Sequence, residues 1–77
     1  MENPTSEQVA KHYSAAMDSV NFINEIKSGV HDERMSAAEK ADTLERNASH
    51  LEIMVAKDYW TTEDLQPFRD AIAAARA

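Results

Sequence analysis

The chain reads as all-α: an antiparallel helical hairpin with a shorter third helix, expected to form a helical bundle on dimerisation. Three observations predict this. Apolar residues recur in steps of three and four along two long stretches, which keeps one stripe on one face of a helix. Three Thr or Ser residues are each followed, three positions later, by Gln, Glu or Asp, the reciprocal capping signal of a helix start. The only glycine, Gly29, falls just past the first stretch, where a left-handed cap suits a residue without Cβ.

The first helix is expected over residues 6–28. Thr5 and Gln8 form its capping pair, and Val9, Tyr13, Ala16, Val20 and Ile23 form its stripe. Glu7 lies in the first turn, where the helix dipole favours a negative charge. A short strand over Val20, Phe22 and Asn24 competes with this reading, but the alternation breaks at Ile23 and no partner strand is visible. Pro4 pushes Asn3 away from helical angles, so residues 1–4 are expected to be frayed or extended.

Gly29 to Met35 has the length of a connection between antiparallel helices. The second helix is expected over residues 36–57, opened by Ser36 and Glu39 and carrying Ala37, Ala41, Leu44, Ala48, Leu51 and Val55 on one face. A helix of about 30 Å is marginal alone in water, so this stripe must be covered. The core is expected to run through Leu44, Leu51, Val20 and Ile23. A third helix, residues 62–75, starts from Thr61 and Asp64 and presents Leu65, Phe68, Ile72 and Ala75. Trp60 and Leu65 flank that cap as a hydrophobic staple and are the expected anchor of the corner. Pro67 leaves two starts open: a helix from Thr62 that tolerates the proline, or a turn followed by a helix with Pro67 at its first position.

With 77 residues and no cysteine, the chain has room for one domain with a small core and no disulfide or thiolate staple. Small cores of this kind often borrow surface from a second copy. No apolar run reaches the length of a membrane span, and Met-Glu-Asn-Pro-Thr lacks the basic and apolar regions of a signal peptide. The expectation is therefore a cytoplasmic protein that meets no membrane. The net charge of −6 argues against direct nucleic-acid binding. Residues 1–29, 30–57 and 58–77 each sum to −2, so no segment is polarised and an acidic DNA mimic is the minor reading.

No catalytic, cofactor or metal site is expected. His12, His31 and His50 lie on different elements, and Asn47 stands where a helical di-iron site would need the glutamate before His50. His31, Asp32 and Glu33 read as a polar loop before they read as an ion site. Ser14, Ser19 and Ser49 have no convergent base and acid visible in sequence. Asn47-Ala48-Ser49 matches a glycosylation acceptor by chance, since it falls inside a helix.

A different irregularity carries the functional expectation. Phe22 and Ile26 form an i, i+4 pair well away from the first stripe, and Ile53, with Met54 beside it, lies opposite the second. These four are the candidate interface, with a second copy of the chain or with a host protein. The closing stretch HLEIMVAKDYWTTEDLQPFRDAI, after TLERN, resembles small uncharacterised phage and prophage proteins of proteobacteria. That resemblance implies an accessory protein working by binding, with inhibition of a host defence or nucleic-acid-binding protein as the alternative role.

Overall fold

Each helix starts where its capping residue folds back on it. In the computed structural model, which describes residues 5–77, α1 is Ser6–Ser28, α2 is Ala37–Val55 and α3 is Thr62–Arg76. Thr5, Ser36 and Thr61 each accept from the amide three residues on, and Gln8, Glu39 and Asp64 accept from the cap amide in return. Two otherwise orphaned amides are thus satisfied at every start. Among the described residues there is no strand, and the chain is all-α. The expectation for residues 1–4 lies outside the described residues.

Gly29 ends α1 with φ of 91°, a left-handed angle that other residues adopt only at a cost. The chain then turns through residues 30–35 into α2, held by Lys40 Nζ donating to Asp32 at 2.7 Å. α2 stops at Val55, two residues short of the predicted end. Beyond it the Lys57 amide donates to the Met54 carbonyl, and the Trp60 indole N–H donates to that same oxygen at 2.6 Å. Of the two starts open to the third helix, the one at Thr62 is observed, with Pro67 inside. The proline removes one backbone bond and costs on the order of 3 kcal/mol in a helix interior; Phe68, fully buried beside it, offsets a large part of that.

All three pairs of helices touch, in a body 44 × 20 × 20 Å. The central cluster joins Ala16, Val20 and Ile23 of α1, Leu51 and Met54 of α2, and Phe68 and Ala71 of α3. Leu44 and Val55 of the predicted stripe are only half-buried against it, while Ala37 and Ala41 are exposed. The reason is the reach of α3. Its last arginine, Arg76, is hydrogen-bonded to Glu45 and Glu52, so the part of α2 before Glu45 has only α1 to lie against.

Candidate functional site

Two of the four predicted interface residues are interior. Ile26 is 4% exposed and Met54 7%. This corrects the sequence reading. A helix with two neighbours buries a wider arc than a single stripe: Met54 falls between α1 and α3 in the central cluster, and Ile26 closes the space under the connecting loop beside Gly29 and Leu44. The other two are differently placed. Ile53 is 63% exposed, whereas Phe22 is half-buried, its ring edge-on to His31 at 5.7 Å.

Phe22 borders an open hollow between α1 and α2 with Arg46, Asn47 and His50; the same Arg46 and His50 border a second hollow along α2 with Ser49 and Ile53. The two depressions form one continuous face to which α3 contributes nothing. Thr43, Arg46, Asn47, His50 and Ile53 lie at offsets 0, 3, 4, 7 and 10, one face of a helix and a second stripe that was readable in the sequence. Its charges are local: Arg46 pairs with Asp42 at 3.2 Å across one helical turn.

The histidines all tie one element to another. His50 Nδ1 shares a hydrogen bond of 2.9 Å with Ser19 Oγ across the α1–α2 groove. His12 Nδ1 shares one of 2.6 Å with the Tyr59 hydroxyl, and His31 Nε2 lies 3.4 Å from Glu25. Ser19 and His50 have the spacing of a nucleophile and its base. Yet Ser19 is only 7% exposed, and among the described residues no carboxylate is bonded to the imidazole. The pair serves as an interhelical tie. Among the described residues no group of three or more His, Cys, Asp or Glu is arranged to hold a metal ion. No described helix is long and apolar enough to cross a membrane.

The predicted anchor residues lie at the opposite end. Trp60 and Leu65 are both half-buried against the central cluster. The Trp60 ring meets Phe68 at 5.2 Å, Tyr59 at 4.7 Å and Tyr13 at 6.3 Å, separations at which tilted and edge-to-face aromatic pairs attract. Outside this group a cleft opens between α1 and α3, lined by Val9, Ala10 and Tyr13 on one side and Trp60 and Asp64 on the other. Tyr13 is 39% exposed there. Sequence reasoning missed this cleft, because it joins residues about fifty positions apart, Tyr13 being read as part of the first stripe and Trp60 as the anchor of the corner.

At the far end of α3, Arg76 donates to Glu45 at 2.8 Å and also to Glu52. These bonds hold both carboxyls below their ordinary range and raise the guanidinium further above its own. Glu39 is likewise lowered, first by the Ser36 amide and then by the Ser36 hydroxyl. Comparison of the chain with protein-family models, with curated proteins and with solved structures gives no match.

Proposed function

We propose that this is an interaction module, a phage-type accessory protein as the resemblance implies, that pairs with a second copy through the outer face of α2. The observation that carries the reading is Ile53, 63% exposed and centred on a face that α3 leaves open. A lone exposed isoleucine is ordinary. What supports an interface is the pattern around it.

An antiparallel two-fold axis passing between Ser49 and His50 sets Arg46 opposite Ile53 and Ser49 opposite His50 within α2, with Asp42 toward Lys57 in the bend just past its end. In that register Asp42 of each copy approaches Lys57 of the other, the aliphatic stem of an arginine covers each isoleucine, and a small residue sits at the crossing. Phe22 flanks the same face from α1. Burying what remains exposed of two isoleucines gains about 2–4 kcal/mol, at or below the lower estimates for the cost of association, so the dimer is weak. The DNA-mimic reading has less support: Asp42, Glu45 and Glu52 are each paired with an arginine, which breaks up any phosphate-like row of charge.

Sedimentation or light scattering over a dilution series, from about 10 μM to about 1 mM, tests the pairing. The wild type is expected to shift toward dimer as concentration rises, and Ile53→Glu to stay monomeric with unchanged helicity. Phe22→Glu is expected to dissociate the dimer before it unfolds the chain. Asp42→Lys should weaken pairing, and adding Lys57→Asp should restore it. A wild type that is monomeric throughout ends the homodimer reading.

A further inference from the structure

The cleft between α1 and α3 shares no residue with the proposed dimer face. We infer that it is a docking site for a cationic side chain, arginine or lysine, presented by a partner protein. Tyr13 and Trp60, in contact with each other at 6.3 Å, line it together with Ser6, Val9, Ala10 and Asp64. Aromatic faces beside a carboxylate favour a cation over an apolar or anionic group, because ring quadrupole and charge attract it together.

Four details sharpen the assignment. The single polar atom of Trp60, its indole nitrogen, donates to the Met54 carbonyl, so the ring offers a ligand no further hydrogen bond and whatever it contributes is aromatic. The first turn of α3 carries Glu63 and Asp64, two full negative charges against the roughly half positive charge of a helix N-terminus. Asp64 spends Oδ2 on the Thr61 amide; its second oxygen makes no hydrogen bond among those described. The nearby cation on α1, Lys11, pairs with Glu7 at 3.8 Å, and that pair adds no net charge. Arginine fits better than lysine, since its planar, weakly hydrated guanidinium stacks on rings while donating to a carboxylate.

Trp60 is the only tryptophan, so its emission reports directly on the cleft. The test is a fluorescence titration of the full chain with an acetylated, amidated Ala-Arg-Ala-Arg-Ala peptide, against the same peptide with citrulline for arginine. A saturable change with the arginine peptide and none with citrulline is expected. Asp64→Asn keeps an acceptor for the Thr61 amide and removes the charge; Glu63→Gln changes an exposed side chain alone. Each should weaken the arginine response, and Tyr13→Leu should weaken it by about 2- to 30-fold, the span of a cation–π contact. Circular dichroism verifies that the variants stay helical. Equal responses to both peptides, no response at several millimolar, or a response that survives Asp64→Asn and Glu63→Gln would overturn the assignment. A stronger response to choline than to the arginine peptide would overturn the protein partner. None of these outcomes depends on the dimer, because Ile53→Glu, expected to be monomeric, should respond like the wild type.

Discussion

The two ends of the molecule are held by different means. Where α3 covers the hairpin, three helices enclose Leu51 and Phe68 at 0% exposure, and Trp60, Tyr59 and Tyr13 close the end with ring contacts. Toward the connecting loop only two helices remain. There Ile26 is buried, but Leu44 is half-buried, Ala41 is exposed, and hydrogen bonds to Asp32 and Glu25 take over from apolar contact. The contrast teaches where stability resides: apolar burial supplies it at the first end, while a glycine turn and exposed polar ties define the second.

Core truncations sharpen this comparison most. Phe68→Ala is expected to cost about 3–5 kcal/mol and Leu51→Ala about 2–5, against roughly 4–12 kcal/mol for a whole domain of this length. Leu44→Ala, at the margin of the two-helix end, should cost only about 1–2 kcal/mol because half of the side chain is already in water. Urea unfolding of the three variants is the check. If Leu44→Ala costs as much as Leu51→Ala, the ends are alike and the contrast fails.

That contrast was only partly legible in the sequence. The three capping pairs and Gly29 are local signals, complete within four residues, and they place the helix starts and the end of α1 where they are found. Periodicity identified Ala16, Val20, Ile23 and Leu51 as interior. It could not show how far α3 reaches along α2, and that length decides the rest. It leaves Ala37 and Ala41 in solvent although they lie on the stripe, and it buries Met54 although that residue lies off it. The Ser19–His50 and His12–Tyr59 bonds join positions 31 and 47 apart, a pairing that no local pattern encodes. Ile53 was legible as surplus, since one α-helix cannot turn both of its faces to a single core.

At the loop end the turn itself is tested by Gly29→Ala, which removes no apolar contact. An added Cβ would stand 3.3 Å from Asp32 Oδ2, at a residue whose φ is +91°. Left-handed geometry costs an alanine about 1–2 kcal/mol, equivalent to a fall in Tm of several degrees for a domain of this size. Differential scanning calorimetry measures it. A neutral or stabilising result would mean that the turn does not require the left-handed angle, and the loop end would lose its defining feature.

The smallest expected effect is at the tip of α3, where Arg76 bridges Glu45 and Glu52 in partial exposure to solvent. Exposed ion pairs contribute little to global stability, so the readout must be local. Both carboxyls titrate below the ordinary value of 4.5 because Arg76 is hydrogen-bonded to them. A group lowered by folding adds stability that is complete above its unfolded value and disappears as pH falls through its folded one. The clamp is thus intact from neutrality down to about pH 4.5 and is released below that. Amide protection at residues 73–77, corrected for intrinsic exchange rates, should fall in acid while Phe68 and Ala71 stay protected. Arg76→Met should lower protection at the tip already at neutral pH and remove its acid dependence there. It should leave the acid response of the α2 start, which depends on Glu39 and Ser36, as it was. Protection at the tip that is identical in wild type and Arg76→Met at neutral pH would show that apolar contact alone holds α3 along α2. The end of α3 would then be stabilised by the same means as the aromatic end.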